Sequence, residues 1–130
     1  MHPTEIDLKI GNHIFEAKLT ENTFTTKPKS VVHSYKDFDK VFEESNLLTQ
    51  KGDILQYQLI RNILTAYKYD FNFSILIDST RIDLIKEFIN VLKSIKIYDL
   101  RSRINILTWQ EIIDMCGSKL KVYIQEKYLN

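Results

Sequence analysis

Acidic and basic side chains near the start of the chain have types and a spacing suited to phosphodiester chemistry. Asp7 precedes Glu16, and Lys18 lies two residues beyond Glu16. Two carboxylates that converge on one point form a hard-oxygen site for Mg²⁺, which commonly uses one or two carboxylates and keeps several waters. A lysine ammonium beside such a site can orient a metal-bound water or stabilise charge that develops on a phosphate. The pattern therefore predicts metal-assisted hydrolysis of phosphodiester bonds.

A β-hairpin is the element that brings these residues together. Alternating apolar and polar residues predict strands over about 4–10 and 13–19, joined by a two-residue Gly-Asn turn. Counting outward from that turn places Asp7 opposite Glu16, and directly opposed strand positions have Cβ atoms about 5 Å apart. Like charges at this separation are destabilising, so something should compensate them, and a cation is the natural candidate.

The same alternation assigns the two faces of the hairpin. The apolar face, which we expect to pack on the core, comprises Ile6, Leu8, Ile10, Phe15, Ala17 and Leu19. The charged face comprises Glu5, Asp7, Lys9, Glu16 and Lys18. The alternative to a metal site is a solvated face on which the lysines neutralise the carboxylates, because mixed charges are common on exposed strands. Spacing alone leaves both interpretations open.

The elements after the hairpin alternate between helices and strands. They are predicted as a short helix that Ser34 caps, with Phe38, Val41 and Phe42 on one side, a helix over about 54–68, a buried strand over 71–78, a helix from Thr80 to about Lys96, a strand over 104–107, a helix that Thr108 and Glu111 cap, and a last helix near 118–128. This order predicts an α/β fold in which helices flank a central mixed sheet.

The helix over about 54–68 carries polar residues that could reach a site. Gln58, Arg61 and Asn62 lie at i, i+3 and i+4, so they form one polar stripe. Such a stripe can contact phosphate or hold a catalytic water. The alternative is the solvent side of an amphipathic helix whose apolar side contains Leu59 and Ile63.

Composition sets the cellular context. The 130 residues fit one domain, 1–130. No apolar run approaches the roughly 18 residues of a membrane span, so no membrane partner is expected. The single cysteine, Cys116, excludes an intrachain disulfide and favours a cytoplasmic location. A net charge of +1 neither indicates nor excludes nucleic acid as a partner.

Asp7 followed by Glu16-Ala17-Lys18 resembles the signature of the PD-(D/E)XK, or restriction-endonuclease-like, nuclease superfamily. The segments LQYQLIRNIL, ILIDSTRIDLI and LTWQEI…LKVYIQEKYLN, within about residues 50–130, are similar to the C-terminal half of largely uncharacterised bacterial members. The resemblance implies that Asp7 and Glu16 bind Mg²⁺ (or Mn²⁺) and that the Ala17 backbone carbonyl joins them. It also implies that Lys18 is the catalytic lysine and that DNA is the substrate.

The resemblance bears on two further features of the chain. In the superfamily, the helix after the Glu-x-Lys strand often turns a polar residue toward the active site. Gln58 falls inside a resembling segment and is the candidate catalytic residue on this helix. The superfamily core usually opens with a helix and a strand before the Asp strand, whereas only six residues precede Asp7. We therefore expect the N-terminal layer to be missing, with a homodimer or a partner chain covering the exposed sheet edge.

Three functional hypotheses follow from these patterns. The first is a Mg²⁺-dependent nuclease domain acting on DNA through Asp7, Glu16 and Lys18. The second is a non-catalytic nucleic-acid-binding or assembly module that retains the nuclease fold. The third is a small bacterial protein of unrelated role with a charged hairpin face. Metal-dependent DNA cleavage that is lost when Lys18 is replaced separates the first hypothesis from the other two.

Overall fold

The structure, a computed structural model, describes residues 8–18, 23–111 and 126. The strands in these residues are β1 (Leu8–Ile10), β2 (His13–Lys18), β3 (Lys27–Pro28), β4 (Thr49–Gln50), β5 (Asp53–Ile54), β6 (Asn72–Ile77) and β7 (Ile104–Thr108). The helices are α1 (Lys29–His33), α2 (Phe38–Val41), α3 (Tyr57–Tyr69), α4 (Ile82–Ser94) and α5 (Tyr98–Ser102), with a 3₁₀ turn at Glu44–Asn46.

A four-stranded mixed sheet forms the centre of the fold, in the order β1-β2-β6-β7. Strand β1 runs antiparallel to β2, and β2, β6 and β7 run parallel to one another. Parallel neighbours need crossover connections, and here α3 lies between β2 and β6 along the chain while α4 and α5 lie between β6 and β7. A smaller sheet of order β3-β5-β4 precedes α3. The predicted α/β fold with a mixed central sheet flanked by helices is confirmed.

The hairpin has the register that its turn predicts. The observed pairs are Leu8 with Phe15, Lys9 with Ile14, and Ile10 with His13. Gly11 adopts a φ of 60°, a left-handed conformation that glycine reaches without a steric penalty. The predicted register is therefore confirmed for these three pairs. Asp7, with the other residues predicted to extend β1 toward position 4, lies outside the described residues, and so does Leu19.

The prediction that the apolar face of the hairpin packs on the core is wrong for β1. Leu8 and Ile10 are 40% and 58% exposed, whereas Ala17 on the same face is buried. The other face of β2 is the one the core covers, with Ile14, Glu16 and Lys18 at 0%, 4% and 2% exposed.

The cause is that β2 is an inner strand whose Glu16 face lies under a helix. Its neighbours on β6 in the parallel register are Phe73, Ile75 and Ile77, which are at most 1% exposed. Helix α3 covers this face, and the buried residues on its inner side are Leu59, Ile60, Asn62, Ile63, Leu64 and Ala66. Glu16 and Lys18 therefore lie in the layer between the sheet and α3.

The longer predicted elements agree with the observed ones to within a few residues. The predicted helix over 54–68 is α3, the predicted strand over 71–78 is β6, the predicted helix from Thr80 to Lys96 is α4, and the predicted strand over 104–107 is β7. Thr108 and Glu111 form the predicted capping box, since the Thr108 N–H donates to Glu111 Oε1 and the Glu111 N–H donates to Thr108 Oγ1, both at 3.2 Å. Apolar periodicity was sufficient to locate α3 and α4, neither of which has a side-chain hydrogen bond at its N-cap.

The prediction that Ser34 caps the start of a short helix is wrong, because the N-cap of α2 is Asp37. Ser34 follows the last residue of α1, where its hydroxyl donates to the Val31 carbonyl, and the next helix, α2, begins at Phe38. The predicted helix near 118–128 lies outside the described residues, apart from residue 126. Among the residues that are described, no helix is long and apolar enough to cross a membrane.

Candidate active site

Glu16 is a buried carboxylate that accepts hydrogen bonds from two side chains of α3. Its Oε1 accepts a hydrogen bond from Asn62 Nδ2 at 3.0 Å and one from Arg61 Nη2 at 3.3 Å. Burying an ionised carboxylate costs several kcal/mol unless it is paired and hydrogen-bonded, and these two donors offset that cost. The interpretation of the charged face as a solvated surface is therefore wrong for Glu16.

Lys18 is buried on the same face of β2 as Glu16, because side chains two residues apart on a strand point the same way. Its Nζ lies 5.8 Å from the centroid of the Phe24 ring, which is itself fully buried. Lysine is almost never fully buried without a partner, so its 2% exposure also excludes a solvated face. The Glu-x-Lys spacing thus correctly predicts that the two charged groups share a face.

The polar stripe of α3 faces the sheet at two of its three positions. Asn62 is fully buried and the Arg61 side chain is only 13% exposed, and both contact Glu16. The alternative of a solvent-facing stripe is wrong for these two residues. Gln58, the residue predicted to be catalytic, is half-buried. Its Oε1 is buried and has no hydrogen-bond partner within the described part of the chain.

A short segment before β3 connects the surroundings of Lys18 with the start of α3. The Phe24 and Thr25 carbonyls accept hydrogen bonds from the N–H groups of Gln58 and Tyr57, at 2.9 and 3.1 Å. These contacts satisfy N–H groups of the first helical turn, which have no partner within the helix. Thr25 adopts a φ of 66°, an uncommon conformation for a β-branched residue. The segment therefore holds Phe24 against Lys18 and fixes the N-terminus of α3 beside it.

Two cations approach the Tyr57 ring near this end of α3. Arg61 and Lys27 approach its ring centroid to 5.7 and 5.8 Å, and its hydroxyl is 2.7 Å from that of Tyr35. Burial, followed by the hydrogen bond to Tyr57, raises the pKa of Tyr35 to about 12. Sequence patterns did not single out Tyr57, Tyr35 or Lys27. The i, i+4 spacing of Tyr57 and Arg61 was the signal that could have linked Tyr57 to the stripe.

Glu16 and the amide side chains of α3 provide oxygen atoms of the type that the predicted metal binds. The described residues contain no group of three or more His, Cys, Asp or Glu side chains that could hold an ion. They do offer the Glu16 carboxylate and two buried amide oxygens, Gln58 Oε1 and Asn62 Oδ1, that have no hydrogen-bond partner among them. An oxygen donor set fits a hard cation such as Mg²⁺. The second carboxylate, Asp7, lies outside the described residues, so the paired site and the Ala17 carbonyl ligand stay predictions.

Comparison with known proteins gives a family match. A family model described as Restriction Endonuclease associating with ARP matches residues 1–129. No curated protein gives a significant match. No solved structure gives one either. The family match spans Asp7, β2 and α3, and it confirms the predicted restriction-endonuclease-like domain.

Proposed function

We propose, given that the chain belongs to the family described as Restriction Endonuclease associating with ARP, that it is a Mg²⁺-dependent nuclease domain that hydrolyses phosphodiester bonds of DNA. The observation that carries the proposal is the buried constellation on β2 and α3: Glu16 hydrogen-bonded to Arg61 and Asn62, with Lys18 buried on the same strand face.

Burial of these charges argues for a role beyond stability. Glu16 and Lys18 are 4% and 2% exposed, and each loses hydration free energy on folding. Replacing a buried ion pair with apolar residues of similar volume is often neutral or stabilising. A fold that needed only stability would be served as well by apolar side chains here, so the two charges support a catalytic site.

The proposed metal ligands are Asp7, Glu16 and the Ala17 carbonyl. Extending the observed hairpin register by one pair would set Asp7 opposite Glu16. A bound Mg²⁺ or Mn²⁺ would polarise a phosphoryl oxygen and lower the pKa of a bound water. Asn62 and Arg61 hold the Glu16 carboxylate in one orientation, which keeps a ligand preorganised for the ion.

Lys18 and Gln58 are the proposed catalytic side chains. The Lys18 ammonium lies against the apolar Phe24 ring, where exclusion of water strengthens its interaction with a developing phosphate charge. Gln58 Oε1 is a buried acceptor without a hydrogen-bond partner in the described part of the chain. In the proposed mechanism it accepts a hydrogen bond from the attacking water and orients it toward phosphorus.

Cleavage of plasmid DNA tests this proposal. The wild-type protein with Mg²⁺ is expected to cleave, whereas EDTA or the Lys18→Ala variant should abolish the activity. Lys93→Ala is the matched control, because Lys93 is an exposed lysine on α4, a helix that packs on β7, two strands from β2. Wild-type protein that binds metal but cleaves neither single- nor double-stranded DNA nor RNA would reject the proposal.

A second function, a non-catalytic assembly module, is favoured by one observation. Arg61 already supplies a positive charge to Glu16, so this carboxylate is compensated without a metal ion. The family description names association with ARP, and we propose ARP as a partner of this chain. Co-purification with ARP in the absence of cleavage would favour the module, whereas cleavage lost in Lys18→Ala would favour the nuclease.

A further inference from the structure

Lys27, Tyr35 and Tyr57 form a cluster at the start of α3, here termed the Tyr57 cluster. The Lys27 ammonium lies 5.8 Å from the Tyr57 ring centroid, and the two tyrosine hydroxyls are 2.7 Å apart. Arg61 connects the cluster to the proposed active site, because its guanidinium lies 5.7 Å from the same ring and also contacts Glu16. A single side chain, that of Arg61, therefore contacts both the cluster and the proposed active site.

Lys27 offers an exposed positive charge that the described acidic residues do not neutralise. Nearby lysines differ, since Lys29 pairs with Glu44 at 3.8 Å and Lys40 lies 4.0 Å from Asp37. In the described part of the chain, Lys27 contacts the Tyr57 ring and forms no ion pair. The Lys27 ammonium can therefore form an ion pair with an anion from outside the chain.

The tyrosine pair offers a hydrogen-bond donor to the same anion. Each hydroxyl carries one hydrogen, and their mutual bond uses one of the two. Burial and the hydrogen bond raise the pKa of Tyr35 to about 12, which keeps its hydroxyl protonated at neutral pH. The second hydrogen is therefore available to an acceptor, and phosphate oxygens are acceptors.

The backbone fixes the position of the cluster relative to α3. The Thr25 carbonyl accepts the Tyr57 N–H at 3.1 Å, and the Thr25 N–H donates to Thr23 Oγ1 at 3.2 Å. Thr25 holds a φ of 66° between these contacts, and strained conformations of this kind concentrate at functional sites. Lys27 follows two residues later and so has a defined place beside Tyr57.

We propose that the Tyr57 cluster binds a phosphodiester group of the nucleic-acid backbone next to the cleavage site, without reading the base sequence. The inference rests on the proposed nuclease function and adds the residues that position its substrate. Lys27 supplies the charge and the tyrosine pair supplies a neutral donor.

Fluorescence anisotropy with labelled DNA, in EDTA so that no cleavage occurs, tests the inference. The probes are two short duplexes of unrelated sequence and one single strand, each titrated at several salt concentrations. Lys27→Gln should weaken binding to both duplexes equally and reduce the slope of log affinity against log salt by about 1. Lys93→Gln, the exposed control on α4, should leave affinity and slope unchanged.

The double variant Tyr35→Phe with Tyr57→Phe separates the hydroxyls from the charge, since either tyrosine could carry the free hydrogen. It should weaken binding at an unchanged salt slope, because a neutral donor releases no counterions. Melting temperatures of all variants establish that they are folded. A Lys27→Gln protein that binds like Lys93→Gln, a loss confined to one sequence, or a wild-type protein that binds no probe overturns the inference. Lys27-dependent binding by a protein that never cleaves supports the backbone contact and rejects the nuclease function instead.

Discussion

At the scale of single residues, the site is governed by charges that the fold takes out of water. Glu16 and Lys18 lie on one buried strand face, and Arg61 and Asn62 approach Glu16 from α3. Such groups contribute little to stability when paired, but an unpaired buried charge is costly. Replacing Arg61, which forms an ion pair with Glu16, should therefore cost more stability than replacing Lys18.

Replacing Lys18 with methionine should leave the fold intact while strongly lowering cleavage activity. The change substitutes an apolar side chain of similar length at a position that is 2% exposed, so the free energy of unfolding should be unchanged or higher. Cleavage should fall by about 10²-fold or more, the effect of losing one preorganised charge at a developing oxyanion. Thermal melts and a cleavage assay measure both quantities. Metal binding should persist, and a large drop in melting temperature would show that Lys18 is structural.

Replacing Arg61 with methionine should lower the free energy of unfolding, unlike the Lys18 substitution. It removes a charge partner of the buried Glu16 carboxylate and should lower the free energy of unfolding by about 3 kcal/mol. The matched double variant, Glu16→Gln with Arg61→Met, should recover much of that loss because the unpaired charge is then absent. Chemical denaturation of the two single variants and the double variant gives the coupling. Additive losses would mean that the 3.3 Å contact between Arg61 and Glu16 is not energetically important.

At the scale of elements, the pairing of β2 with β6 positions the site. A side-chain contact also joins these two strands on the face opposite Glu16. His13 on β2 and Ser74 on β6 are neighbours of the same sheet, with His13 Nε2 2.7 Å from Ser74 Oγ. Phe15 stacks on the His13 ring with centroids 4.2 Å apart. Burial lowers the pKa of His13 below its ordinary value of 6.5. The pairing of β2 with β6 therefore includes a contact that is sensitive to pH.

Stability should fall as the pH drops below about 6.5, in part because of His13. Its pKa is lower in the folded state than in the unfolded state, so the unfolded chain binds the proton more readily and is favoured by acid. The contribution of His13 to the free energy of unfolding is fully present above its unfolded-state pKa of about 6.5. It is lost as the pH falls toward its folded-state pKa. Chemical denaturation between pH 5 and 8 should show a shallower pH dependence for His13→Gln than for wild type. Ser74→Ala is the control that removes the partner but keeps the titrating group, and identical profiles for His13→Gln and wild type would contradict the expectation.

At the scale of the whole molecule, folding should be linked to metal binding and to assembly with a second chain. Glu16 lies on β2, and the other proposed ligand, Asp7, is nine residues earlier in the sequence, so an ion held by both would bind the folded chain far better than the unfolded one. Within the described residues, β1 has a strand neighbour on one side only, and Leu8 and Ile10 on it are exposed. Edges of this kind recruit partners.

Mg²⁺ or Mn²⁺ should raise the melting temperature of the wild-type protein. A ligand selective for the folded state at about 100 times its dissociation constant stabilises by about 2.7 kcal/mol. The shift should disappear in Asp7→Asn and persist in Asp39→Asn, since Asp39 is an exposed carboxylate on α2. Differential scanning fluorimetry with and without metal gives both shifts. An equal shift in the two variants would place the ion elsewhere.

The chain should form a dimer through the β1 edge at high concentration. Leu8 and Ile10 would be covered by a second copy, or by another chain, and apolar contact would supply the driving force. Light scattering over a range of concentrations measures the association, and Ile10→Lys should weaken it. A monomeric wild-type protein at high concentration would contradict the expectation.

Local geometry allowed several features to be predicted from the sequence. The two-residue turn sets the hairpin register, the period of two places Glu16 and Lys18 on one face, and apolar spacing identifies α3 and α4. The capping box at Thr108 depends on residues three positions apart. Each of these features depends only on neighbours within a turn or two of the backbone, which is why the sequence by itself determined them.

Tertiary packing decided which hairpin face is buried and which residues surround the carboxylate. The partners of Glu16 lie 45 and 46 residues further along the chain, on a helix whose docking side strand alternation does not specify. Because α3 packs on the Glu16 face of an inner strand, the charged residues became interior and Leu8 and Ile10 stayed exposed. The Tyr57 cluster has the same origin, since the sequence places Lys27 and Tyr35 far from Tyr57 and only the docking of distant segments brings them into contact.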